Sequence, residues 1–139
     1  MKVVWSQNPE HLKLAGEVLG RPFIPEEVRW LSVVDAEGKF AGAVIYSRFT
    51  PWHCEVSAVV VNKHMCQRKV FFDLFAYPFQ QLGYKRLNCV IALNNVKSLK
   101  SALKLGFTPE AQLRNWFGDT DGVMFRLLKE ECKWLVEAN

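Results

Sequence analysis

The chain has 139 residues, half of them apolar and 23% charged, a composition that excludes a disordered protein and fits a single domain over 1–139. No apolar run reaches the roughly 20 residues of a membrane helix, and no charged leader precedes a cleavable apolar segment. The expectation is therefore a cytoplasmic protein without membrane contact, and a formal charge of +4 suits an anionic ligand without predicting specific nucleic-acid binding.

The first element is an edge strand at Val3-Val4-Trp5. Asn8 then caps a helix with Pro9 at its first position, Leu12, Ala15, Val18 and Leu19 face inward, and Gly20 ends it. Residues 21–27 hold two prolines and read as a connector with at most one helical turn. Strands are expected over 29–35, 40–49 and 54–61, joined by a Glu37-Gly38 turn and a Thr50-Pro51 connection. In the third of these, Cys54, Val56, Ala58 and Val60 share one face, and Glu55, Ser57, Val59 and Val61 share the other. Both faces turn apolar toward its end, as in a strand entering a covered sheet.

A polar connection over 62–67 leads into a long helix over 68–82, which Pro78 kinks or splits near its last turn. Its aromatic residues Phe71, Phe72, Phe75, Tyr77 and Phe79 read as packing groups. After Gly83 comes a buried strand over 86–93, then a helix opened by Asn94-Asn95 and closed by Gly106. Val96, Leu99, Ala102 and Leu103 form its apolar stripe. Lys97, Lys100 and Lys104 lie off that stripe; ordinary solvation explains them, and a nucleic-acid stripe is the competing reading. Two strands over 111–117 and 123–128 flank a turn at 118–122, and 129–136 reads as a short amphipathic tail. Cys54, Cys66, Cys89 and Cys132 are scattered without zinc-ligand spacing, so reduced thiols and no metal are expected.

This element order, with the residues of the second half, resembles the GNAT superfamily of acyl-CoA-dependent N-acetyltransferases. Within it the chain looks most like the ribosomal-protein and amino-terminal alanine acetyltransferases. In that branch a strand exit leads to Asn, two variable residues, Ser, a helix and Leu-Gly-Phe, matched here by Asn95, Ser98 and Leu105-Gly106-Phe107. Glu110 and Arg114 match the acidic and basic positions that follow, and the segment from Asp121 to Glu131 matches the closing turn and strand. The resemblance covers about 83–131. It implies a mixed, largely antiparallel twisted sheet covered by helices, in an α/β fold. It also implies transfer of an acetyl group from acetyl-CoA, without a metal, to a primary amine such as a peptide N-terminus or a small amine. A monomer or homodimer fits, with a protein or peptide as one possible acceptor.

The same resemblance assigns candidate residues. A backbone N–H of the third extended run would polarise the thioester carbonyl, and Glu55 on that run is the candidate base, with His53 and Ser57 on the same face. Gln67, Arg68 and Lys69 occupy the loop where the family binds the coenzyme pyrophosphate, and Gln67 and Lys69 replace its two small residues. Asn95 and Ser98 are a helix cap and its neighbour by local physics, and cofactor contacts by resemblance. Arg114 either binds an acceptor carboxylate or organises the cleft through a carboxylate pair. The tyrosine that often follows the Gly-Phe pair has no match at Thr108-Pro109, so no catalytic acid is assigned. The missing glycines leave a non-catalytic GNAT-fold binding or regulatory protein as the alternative. The connector at 21–27 and the hairpin at 118–122 are expected to border the acceptor.

Overall fold

Seven strands, β1 (Lys2–Val4), β2 (Arg29–Val34), β3 (Phe40–Ser47), β4 (His53–Val60), β5 (Arg86–Ala92), β6 (Thr108–Leu113) and β7 (Gly122–Leu128), form one sheet in a computed structural model that describes residues 1–135. Their order is β1-β2-β3-β4-β5-β7-β6. Every neighbouring pair is antiparallel except β4 and β5, which run parallel. That pair is joined only at His53–Arg86, Cys54–Leu87 and Glu55–Asn88, while both strands continue well beyond it. A gap therefore opens between the second halves of β4 and β5. This is the mixed, mostly antiparallel sheet expected from the sequence.

Three helices cover it unequally: α1 (Pro9–Leu19), α2 (Arg68–Ala76) and α3 (Val96–Leu105). Asn8 caps α1 by accepting from the Glu10 N–H at 3.0 Å, and Gly20 closes it in the left-handed conformation at φ 72°. Leu12 and Ala15 pack against Val28, Trp30, Ala43, Ile45 and Val59 on one sheet face. Val18 and Leu19 are exposed rather than inward, and Gly16 is buried beside Leu12 and Ala15. A Cβ there would stand 2.8 Å from the Arg21 carbonyl, so the small residue lets the connection fold back onto the helix.

The other face carries α2 and α3, with Val70, Leu74, Phe75, Phe79, Ala102 and Phe107 packed on Leu31, Val33, Tyr46, Cys54, Val56 and Leu87. Gly42 of β3 has Met65 Sδ and the Val59 carbonyl where a Cβ would be, so only glycine fits the sheet against the loop before α2. Pro78 splits the long helix as expected: α2 ends at Ala76 and a π-helical turn runs from Tyr77 to Gln81. Proline has no N–H for the Leu74 carbonyl that an unbroken helix would pair with it. The buried Tyr46 hydroxyl donates to that carbonyl at 2.6 Å instead. Burial raises the Tyr46 pKa well above its usual value, so the donor proton stays in place.

Other boundaries differ from the sequence reading. β3 stops at Ser47 rather than Phe49, because Arg48 turns into the left-handed region at φ 50°. β6 begins at Thr108 and ends at Leu113, earlier than expected, because Asn115 takes φ 52° and the turn is pinned by Asp121 accepting from its N–H at 2.9 Å. Ala58 and Val60 are exposed, so β4 ends at an open edge of the sheet rather than in its covered centre. The stripe of α3 buries Ala102 and leaves Val96 and Leu103 exposed. The C-terminal segment expected as a short amphipathic tail is two short 3-10 turns, Lys129–Glu131 and Lys133–Leu135; Val136 lies outside the described residues.

Tyr46→Phe should destabilise the protein by about 1–3 kcal/mol, the cost of leaving a buried carbonyl without its donor. Chemical denaturation of both proteins measures it, and equal midpoints would show that the Leu74 carbonyl finds another partner.

Candidate active site

Glu55 stands at the last joined position of β4 and β5, where the gap begins. Strand alternation aims its side chain at the face carrying α1, together with His53 and Ser57. The Val61 N–H donates to the Ala41 carbonyl at 2.9 Å, in register with the Gly42–Val60 pair. Alternation along an antiparallel ladder then turns the main-chain groups of Val56, Ala58 and Val60 away from β3, so that the Val56 N–H closes the last pair with Asn88 and those of Ala58 and Val60 face the gap. A carboxylate on one face and the free strand N–H groups at the adjoining edge thus lie within one segment, Glu55 to Ala58.

On the α1 face a groove of about 280 Å³ opens beside Glu55, walled by residues of the connection 21–28 and by Ser47 and Arg48. The Arg48 Nε pairs with Glu55 at 3.1 Å, its side chain 70% exposed against 17% for Glu55. Arg21 donates from Nη2 to the Ser57 hydroxyl at 3.0 Å, and its guanidinium lies 5.0 Å from the centre of the Phe23 ring. The connection therefore borders the groove. A second, larger hollow of about 450 Å³ between α1 and the same connection is lined mainly by apolar groups and lies away from Glu55.

A polar chain crosses the sheet on the same face, where α1 does not reach. Arg86 makes a bidentate pair with Glu110 at 3.2 and 2.7 Å and donates from Nε to Asn88 Oδ1 at 2.6 Å. With its oxygen so engaged, Asn88 presents its NH₂ to His53 Nδ1 at 3.1 Å. The network assigns His53 a tautomer that accepts at Nδ1 and carries its proton on Nε2. His53 therefore offers a donor to the site, not a second base. The Arg86–Asn88 step and its pairing with Glu110 were not read from the sequence; alternation on residues 86 and 88 was the available signal.

The remaining candidates fall in three places. Gln67 precedes α2 without a side-chain cap, with its carbonyl accepting from the Val70 and Phe71 N–H groups at 3.0 Å. Lys69 is exposed in the first turn, and Arg68 reaches the Lys133 carbonyl at 3.4 Å, so part of its donor capacity is spent on the C-terminal segment. Asn95 caps α3 by accepting from the Ser98 N–H at 3.3 Å, and Ser98 is half-buried one turn on. These residues flank the far end of the gap, where Val60, Val61, Leu93 and Val96 expose apolar surface. Arg114 sits apart, 89% exposed in the β6–β7 turn and 3.9 Å from Asp121. Glu110 pairs with Arg86 and not with Arg114, so the two residues of the sequence pattern do not share one site.

Cys54 and Cys89 line the opposite face near the same strands. Burial, and after it the Glu55 charge, push both thiols up to about 12, so they are protonated at neutral pH and make poor nucleophiles. All four cysteines are free. No cluster of metal-binding side chains occurs among the described residues.

Solved structures share this architecture. A spermidine N-acetyltransferase variant from Vibrio cholerae aligns with a TM-score of 0.75 at 16% identity, over 96% of this chain and 95% of that one. Another variant of that enzyme gives 0.74 at 15%, over 97% and 98%. A ribosomal-protein-S5-alanine acetyltransferase from Vibrio fischeri gives 0.62 at 21%, over 78% of this chain and 65% of that one. No family model and no curated protein matches the sequence. At these identities the likeness shows the fold, which is the GNAT acetyltransferase fold. It does not single out the alanine-acetylating branch.

The Arg86 hydrogen bonds hold the Glu110 carboxyl below its ordinary value of 4.5. A lowered folded pKa means that the pair adds its stability fully above about 4.5 and loses it as pH falls through the lower folded value. Glu110→Gln should therefore melt below the parent at pH 7, with the difference closing in acid. A difference that persists unchanged at pH 2–3 would contradict the ion-pair role.

Proposed function

We propose that the protein transfers an acetyl group from acetyl-CoA to a primary amine. One observation carries this reading: the gap between β4 and β5 opens where Glu55 meets an acceptor-sized groove on one face and inward-turned strand N–H groups at its edge. The residues at the gap suit the cosubstrate. Ala58, Val60 and the apolar groups at the strand ends match a pantetheine arm, and the first turn of α2 offers N–H groups and the Lys69 ammonium to its phosphates.

In this reading the groove holds the amine so that its nitrogen approaches the strand gap, which supplies the proximity term. The main-chain N–H of Ala58, the first on that edge of β4 beyond the ladder, donates to the thioester carbonyl oxygen as negative charge develops there. The amine nitrogen forms the new C–N bond, the C–S bond breaks and sulfur leaves as thiolate. Glu55, directly or through water, takes the proton that the nitrogen sheds. His53 Nε2–H, held by Asn88, supplies a fixed donor beside the same strand. Sulfur needs no protonated partner to leave, since an ordinary thiol pKa of about 8.5 makes the thiolate an acceptable leaving group.

The second reading, a GNAT-fold protein that binds without acetyl transfer, is favoured by one feature. Gln67 and Lys69 stand where the fold's phosphate loop has small residues, and Arg68 is engaged by the Lys133 carbonyl. A peptide N-terminus as acceptor rests on the resemblance to the alanine-acetylating branch, and a small amine on the modest volume of the groove.

Calorimetry with acetyl-CoA separates the two readings, because the enzyme reading requires binding by high micromolar ligand. Glu55→Gln should keep the fold and that affinity while slowing transfer by about tenfold to ten-thousandfold. The deficit should shrink at alkaline pH, where more of the amine is already neutral. Equal rates for both proteins across a pH series would remove Glu55 from the mechanism.

A further inference from the structure

The groove beside Glu55 is balanced in charge in a way that bears on the acceptor. It holds two carboxylates, Glu55 and Glu27, and two guanidiniums, Arg21 and Arg48. Arg48 is paired with Glu55 at 3.1 Å. Arg21 is held in place by the Ser57 hydroxyl at 3.0 Å and by stacking over Phe23 at 5.0 Å. An arginine presents several N–H donors in a rigid fork, and Ser57 engages one end of it. The remaining donors can face an anion in the groove. Ile24 and Phe23 add an apolar wall.

We infer that the acceptor is a zwitterion of the amino-acid type, whose amine is received at Glu55 and whose carboxylate is received at Arg21. The spacing suits this class. Glu55 and Ser57 are successive residues on one strand face, roughly 7 Å apart. The Arg21 guanidinium sits on Ser57, so an ammonium and a carboxylate joined by one or two carbons reach both ends with ordinary hydrogen bonds. A polyamine carries several positive charges and no negative one. In this groove it would leave the Arg21 guanidinium facing no anion, and its added charges would find one carboxylate, Glu27, beside two guanidiniums; like-charge juxtaposition is how a site rejects a ligand. The groove is therefore a poor match to the acceptor named for the Vibrio cholerae enzymes that share the fold. Arg114, which the sequence pattern offered for an acceptor carboxylate, is 89% exposed in the distant turn and contributes nothing to this groove. The inference rests on the acetyl-transfer reading for what becomes of the amine; binding of the zwitterion does not require it.

Saturation-transfer NMR on the full chain tests it with L-leucine, L-leucinamide and spermidine as probes, alongside an acetyl-CoA titration. Leucine should bind at least tenfold more tightly than leucinamide, which keeps the amine and loses the carboxylate, and more tightly than spermidine. Arg21→Gln should weaken leucine at least tenfold and leucinamide less than twofold. Arg21→Lys, which retains charge without the fork, should fall between. Leucinamide or spermidine binding as tightly as leucine, no leucine binding at all, or equal losses for both leucine and leucinamide in Arg21→Gln would each overturn the inference. If leucine binds in the Arg21-dependent manner while acetyl-CoA does not bind, the transfer reading falls and the zwitterion site stands. If acetyl-CoA binds and leucinamide is acetylated as well as leucine, the transfer reading stands and this inference falls.

Discussion

The parallel contact between β4 and β5 is confined to three register pairs, His53–Arg86, Cys54–Leu87 and Glu55–Asn88, and among the described residues it is all that joins the two halves of the sheet by strand pairing. Parallel pairing is somewhat weaker per residue than antiparallel pairing, and here it is also short. Everything that bears on function depends on where it stops. Two more joined pairs would draw the Ala58 N–H into ordinary ladder; one fewer would cut the base of the gap away from Glu55. The side chains at the joint support it on both faces. Cys54 and Leu87 are buried beneath α2, and the His53–Asn88–Arg86–Glu110 chain bridges β4, β5 and β6 on the other side.

The unequal placement of helices follows from the same division. The α1 face is apolar over β2, β3 and the end of β4, where Trp30, Ala43, Ile45 and Val59 accept Leu12 and Ala15. Beyond β4 that face carries Arg86, Asn88 and Arg126, which gain more from ion pairs and water than from a helix laid over them. The opposite face is apolar across both halves, and α2 and α3 both pack there. The long helix carries a proline at the point where it crosses the sheet, and Tyr46 replaces the hydrogen bond that the proline removes. That exchange lets the chain leave α2 through a π-helical turn and enter β5 at the register that sets the gap.

Much of this was legible in the residues. Asn8-Pro9, Gly20, Asn95 and Gly106 mark helix ends by capping chemistry that acts within a turn, and all four sit where local rules put them. Alternation on residues 54–59 gave the two faces of β4 correctly. What local rules do not carry is what lies across from a strand. Val60 reads as a core residue by pattern, yet its neighbour β5 has diverged, so the side chain is exposed. Val18 and Val96, each on an apolar helical stripe, are likewise exposed. The turn conformations of Arg48 and Asn115 shortened two strands without a glycine to announce them.

The candidate site divides in the same way. The place of Glu55 early on β4 followed from strand position, while the groove that it shares with the connection at 21–27 did not. The partners that define their chemistry come from sequence separations of 7 and 36 residues, Arg48 on Glu55 and Arg21 on Ser57, and no spacing rule reaches them. The central claim is that the strand gap beside Glu55 receives the acyl donor. Amide-resolved NMR of the labelled protein titrated with acetyl-CoA tests it most directly. The account predicts the largest shifts at Val56, Ala58 and Lys69, with Gly38 in the distant β2–β3 turn unmoved. Shifts confined to other surfaces, or none at saturating ligand, would contradict it.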